Sequence, residues 1–250
     1  MYNILFKRGA QRMMNILKKI NLPNKAIKFL IFLLAGDLFY ILLHLIHKGA
    51  RHFDLFTLIR ENLAFALYVD LSLGESFQYL KEYWILLIFV WLIFKHKKYF
   101  FAGWALLFLY FLLDDMLSFH EGLATFVLQS FNIDPFYIIA GELRYQDYGE
   151  LGVSVFFGII LISMIGIAYW RSTKEVRTIF HYLFGCLLLI AFFGVVNDFA
   201  NRLFPEEGNK VIYELTRLIE DGGEMIAMSI ACWYAYTLTE PEDPKSIEAS

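Results

Sequence analysis

Apolar residues along the chain gather in six runs separated by short polar breaks, and they do not alternate at the period of two that marks strands. The runs lie at about 26–47, 79–95, 99–119, 151–171, 178–199 and 212–238, each near the ~20 residues a helix needs to cross a hydrocarbon core. They predict an all-α polytopic bundle of about six transmembrane helices in a single membrane domain spanning 1–250. The second run is the shortest, since only residues 83–94 of it are free of charge. Before it lies RHFDLFTLIRENLAFALYVDLSLGESFQYLKEY, broken by Arg60, Glu61, Asp70 and Glu75. That pattern fits an interfacial helix or a partly buried hairpin, with a seventh crossing over residues 53–74 as the alternative.

Composition sharpens the class. With 58% apolar residues, 18% aromatics and only 19% charged residues, the chain is too apolar for a water-soluble domain of 250 residues. A net charge of -3 argues against nucleic acid as a partner. Cys186 and Cys232 both fall inside apolar runs, where a small buried hydrophobe is the expected role. Residues 1–25 are basic, with Lys7, Arg8, Arg12, Lys18 and Lys19, and suit a retained segment on the inner leaflet; residues 239–250 form a polar tail. If the N-terminus is inside, 14 of the 22 Lys and Arg residues fall on that side. The positive-inside rule then places both termini in the cytoplasm.

Topology brings distant acids to one level. The third and fifth runs end outside at Asp114, Asp115 and Asp198, and the sixth begins there with Glu220, Asp221 and Glu224. His44, His47, His120 and Glu121 reach the same side. In the sixth run Glu220, Gly223, Glu224, Ala227 and Ala231 recur at helical intervals, which predicts a close-packed ridge; Arg217 is spaced to neutralise Glu220 or Asp221. Ala191, Gly194 and Asp198 form a similar stripe. A helix continuing past Ser118 would put Asp114, Ser118 and Glu121 on one face, with Gly122 as its exit. Asp37 stands alone near midspan, and its own helix offers only distant Lys28 as a base.

Three readings fit this cluster. The acids can be solvated by headgroup water, or carboxylates and imidazole from neighbouring helices can hold a divalent metal ion, or paired carboxylates can form a proton or cation pathway. The stretches FDLF, LGESFQYLKEYW, WALLFLYFLLDDMLSFHE and EDGGEMIAMSIACWY together resemble a group of bacterial multi-pass membrane proteins with an acidic pair before HE and an acidic motif ending in EM on the last helix. That resemblance implies a cytoplasmic-membrane location and no particular activity. A second likeness, to membrane hydrolases related to alkaline ceramidases and adiponectin receptors, stops short of their zinc ligands. The last run here has no HxxxH, so no residue is carried over.

The resulting expectation is a metal-assisted hydrolase or transferase acting on a lipid or lipid-linked substrate. Asp115, His120, Glu220 and Glu224 would hold the ion, Glu121 or Asp198 would take a proton from bound water, and Asp114, Asp221, Arg217 and Asp37 would support them. A proton- or cation-coupled transporter or channel using the same acids is the alternative from another class, and a non-catalytic membrane subunit is the third.

Overall fold

The structure, a computed structural model, describes residues 24–69, 71–140, 143–197 and 210–239. Among the described residues six long helices carry the fold, as the apolar runs predict. They are α1 (Asn24–His52), α3 (Leu73–His96), α4 (Ala102–Leu117), α6 (Tyr145–Trp170), α7 (Lys174–Ala191) and α8 (Lys210–Thr237). Two shorter ones, α2 (Thr57–Glu61) and α5 (Phe119–Ser130), and a small antiparallel pair, β1 (Ile138–Ala140) with β2 (Leu143–Arg144), lie between them.

Among the described residues five helical segments are long and apolar enough to cross a membrane: 25–52, 73–96, 99–117, 145–170 and 174–194. The protein is an all-α membrane bundle. Helix α8 has the length, at 28 residues, but carries Glu214, Arg217, Glu220, Asp221 and Glu224 in its first half. It survives there because it packs among α1, α3 and α7, while α4 bridges α3 to α6 and α5 lies along α6. The small-residue ridge is real: Ala227, Ala231 and Ala235 are buried, and a Cβ on Gly223 would run into the Phe193 ring. Large apolar side chains of α1 and α6, such as Phe32, Phe39, Phe156 and Ile159, point outward instead, as lipid contact requires.

Local sequence sets the ends. Ser72 caps α3 by accepting the Glu75 N–H, while Glu75 reaches back to the Leu71 N–H at 2.6 Å. Lys97 ends α3 in the left-handed region. Asp147 holds the start of α6 through the backbone N–H and guanidinium of Arg144. One alternative is set aside here and one expectation is corrected. Among the described residues of 53–72 no helix is longer than the five residues of α2, so the partly buried segment forms rather than a seventh span. The segment dips into the bundle instead, burying Ala66 and Leu67. The third span also does not continue past Ser118: that residue has φ 46°, the chain turns, and α5 begins afresh. Asp114 and Glu121 therefore leave on different helices, and Gly122 lies within α5 rather than at an exit.

The bundle has two unlike halves. Call distal the end where α1 finishes and α8 starts. In the proximal half Ile85, Phe89, Phe101, Trp104, Phe180 and Leu183 make a closed apolar core, with Phe89 and Phe101 stacked at 5.2 Å. Cys186 and Cys232 are free and buried in that core. The distal half is where the buried polar groups gather.

Candidate functional site: a buried polar ladder

Helix α3 supplies the rail. Gln78, Lys81 and Glu82 are buried at i, i+3 and i+4, so one helical face carries all three into the bundle. The Lys81 ammonium has three protons and uses each: it donates to Asp37 Oδ1 at 2.9 Å, to the Met225 carbonyl at 2.7 Å and to Ser229 Oγ at 3.2 Å. Ser229 in turn donates to Asp37 Oδ2 at 2.5 Å. Lys81 is 0% exposed and Asp37 1%, so this pair from α1 and α3, closed by α8, is a buried ion pair. Gly36, beside Asp37, lets the bundle close over it: a Cβ there would lie 2.7 Å from the Phe77 ring, which itself lies under the ammonium.

One residue further, Glu82 turns toward α4. It is fully buried, and neither of its oxygens receives an N–H or O–H from a described residue. Its neighbour is the Asp115 carboxyl. Two carboxyl groups hydrogen-bond only when a proton lies between them, so this contact is a place for one exchangeable proton. The third acid is Glu224, which takes the Gln78 amide at 2.9 Å. Its carboxyl is packed on Gly194, where a Cβ would lie 3.1 Å away. Gly194 sits on a π-helical turn, Phe192–Asn197, that continues α7. Such turns open one i→i−4 step and are common where a site is built into a helix.

The distal end carries the outermost rung. Asp114 accepts the His120 backbone N–H at 2.8 Å, tying α5 back onto α4, and its other oxygen lies 2.9 Å from His120 Nδ1. The second contact is close in distance but off the line of a hydrogen bond, so charge rather than alignment holds it. The Asp114 carboxylate pushes the imidazole pKa up, and burial opposes it in part. Tyr79 donates to Glu75 on the adjoining turn of α3. On α1, His44 Nδ1 accepts the Leu67 N–H and His47 Nδ1 lies 2.6 Å from the Ile59 carbonyl, so both histidines anchor the dipping segment.

The residues expected from sequence divide accordingly. Asp115 and Glu224 do come into one another's range, joined by Glu82. His120 is committed to Asp114 across the Ser118 turn, and Glu121 lies beside it on α5. Glu220 and Asp221 stand near Glu224 on α8 without joining the Glu82 pair. Arg217 lies over the rings of Tyr68 and Tyr213. Asp198 falls outside the described residues, as do Arg202, the basic segment up to residue 23 and the tail from residue 240. The proposed ligand set Asp115, His120, Glu220 and Glu224 does not close around a point. Among the described residues no three His, Cys, Asp or Glu side chains stand close enough to hold a metal ion. The physical reason is that His120 is committed to Asp114 across the break at Ser118. Lys81, Glu82, Gln78 and Ser229 are the site residues the sequence reading missed. The available signal was Asp37, an isolated midspan acid that requires a base from another helix.

A multi-helix membrane bundle with ionisable groups buried inside it is thus the class that fold and site define. The chain belongs to the family described as a domain of unknown function (DUF8692), whose model matches residues 33–239. No curated protein and no solved structure matches it.

Proposed function

We propose that the protein is a proton-coupled transporter of the bacterial cytoplasmic membrane, with both termini cytoplasmic and the distal half facing outward. One observation carries the reading: buried Asp37, Lys81 and Glu82 and half-buried Asp115 and Glu224, from four helices, form a chain of ionisable groups reaching from midbundle toward the distal end. Charge is retained at such depth where it moves a proton or ion. Glu82 and Asp115 share a proton, and Asp37 with Lys81 is the station at which the ladder stops. Inward of that station lies the closed aromatic core, so transfer across the bilayer requires the proximal half to open. The orientation rests on the distribution of Lys and Arg along the sequence, 14 of 22 of which fall in the segments expected on the cytoplasmic side. The metal-assisted lipid enzyme draws no comparable support, because its ligands diverge.

The test is proton flux into proteoliposomes holding a pH-sensitive dye, driven by a potassium diffusion potential, with and without gradients of small anions. Wild-type vesicles should acidify faster than protein-free ones, and Asp37→Asn and Glu82→Gln should each slow this at least tenfold. Glu82→Gln keeps an N–H donor toward Asp115, so it isolates loss of the proton from loss of the fold. Wild-type rates equal to protein-free rates in every condition, or variants as fast as wild type, overturn the proposal.

A further inference from the structure

The second polar feature lies beyond the ladder, where α1 ends and α8 begins. A cavity of about 870 Å³ opens there, lined on one side by His44, Lys48 and Arg51 of α1 and on the other by Tyr213 and Arg217 of α8, with Tyr68 from the dipping segment between them. Its volume is in the range of small-molecule sites, ~300–1,000 Å³. Tyr68 is the hub. Lys48 lies 4.4 Å and Arg217 4.8 Å from its ring centroid, and Arg51 donates to its hydroxyl at 3.2 Å.

Three cations gathered on one ring repel each other, and among the described residues lining the pocket one carboxylate offsets them: Glu214, paired with Lys48 at 2.6 Å. Among the described residues no carboxylate hydrogen-bonds to Arg51 or Arg217. Stacking explains how they are held without one. A guanidinium over an aromatic face is stabilised through that face and keeps its N–H edge, five donors in a planar fork, for a ligand. His44 adds to this, because its Nδ1 accepts the Leu67 N–H and so its Nε2 is the donor. A pocket with this surplus of positive charge in a chain of net charge -3 is built for an anion.

Position narrows the chemistry. Arg51 is 14 residues beyond Asp37 along α1, ~20 Å at 1.5 Å per residue, which places the pocket at headgroup depth when Asp37 lies near midbilayer. We infer that this pocket binds a phosphate-bearing anion through Arg51, Arg217 and Lys48, supplied as an anionic lipid headgroup or as free phosphate. The site stands apart from the ladder and does not depend on the proton-coupled reading.

Two arms distinguish the sources, both on the full chain. Detergent-purified protein is titrated calorimetrically with inorganic phosphate, and protein in nanodiscs of phosphatidylglycerol or phosphatidylcholine is examined by native mass spectrometry for retained lipid. Saturable phosphate binding identifies free phosphate; retention of phosphatidylglycerol alone identifies the headgroup; either supports the site. The Arg51→Gln/Arg217→Gln variant should weaken that binding at least tenfold with its melting temperature kept. If that variant fails to fold, arginine labelling of wild type by phenylglyoxal replaces it, with the anion expected to protect Arg51 and Arg217. No binding in either arm, full binding by the folded variant, or equal labelling with and without the anion overturns the inference.

Discussion

Breaking the Asp37–Lys81 pair from one side should cost far more than removing it whole. Lys81→Met preserves the length of the side chain but leaves the Asp37 carboxylate, 1% exposed, with the Ser229 hydroxyl as its one remaining donor among the described residues. Asp37→Asn leaves the ammonium, 0% exposed, facing the neutral Met225 carbonyl and Ser229 hydroxyl. Orphaning one member of a buried pair costs ~3–5 kcal/mol, whereas replacing both members ranges from neutral to stabilising. Each single variant should therefore lose ~3–5 kcal/mol, and the double variant much less than their sum, a coupling of at least ~3 kcal/mol. Unfolding of the four proteins in mixed micelles, followed by circular dichroism against a denaturing detergent, measures the cycle. The total stability of a domain is ~5–15 kcal/mol, so the singles should also accumulate poorly in the membrane while the double recovers. Single variants within ~1 kcal/mol of wild type, or a double equal to the sum of the singles, would show solvated charges and refute the buried pair.

Three further outcomes follow from the geometry. Gly223→Leu pushes its Cβ into the Phe193 ring, so the π-helical turn after α7 must shift from α8 and stability should fall by ~1–3 kcal/mol in the same unfolding assay, with no change counting against the close packing. The raised His120 pKa makes its contribution fully present below the unfolded value of ~6.5 and lost as pH rises through the folded value. His120→Gln should thus destabilise more at pH 5.5 than at pH 9 in paired thermal melts, and an equal loss at both would remove the charge effect. A reporter fused after Ser250 should be active in the cytoplasm; activity only outside the cell would invert the orientation and with it the outward-facing ladder.

The long helices were legible because apolar length is a local property, and α1, α4, α6 and α7 fall close to where the runs place them. The acids of α8 were legible as well, since Glu224, Ala227 and Ala231 share a face by spacing alone. What escaped was the meaning of charge in α3. Lys81 and Glu82 read as the ragged start of a short span, because a charge beside an apolar run ordinarily marks its end. They are buried instead because their partners arrive from elsewhere, Asp37 from 44 residues upstream and Met225 and Ser229 from 144 and 148 residues downstream. Helical spacing within one segment carries no record of such pairings. The turn at Ser118 escaped for a different reason. A left-handed φ at a serine is uncommon, and no glycine or proline announced it.

That turn decides how the distal acids can be used. Had α4 continued, Glu121 would have followed Asp114 on one face, with Asp115 beside them and His120 about a third of a turn away. With the helix broken at the left-handed Ser118, His120 returns to Asp114 at the distal edge, and Asp115 is left to meet Glu82 inside the bundle. The carboxyls then lie in sequence rather than around a centre. A ring of donors fixes an ion, whereas a file of acids with a single shared proton favours passage from one to the next. The π-helical turn and Gly194 hold Glu224 beside that file, and they lie where α7 meets α8 through Gly223 and Phe193. In the proton-coupled reading proposed above, a shift of α7 against α8 would change the surroundings of Glu224, which is the route by which protonation and opening would be coupled.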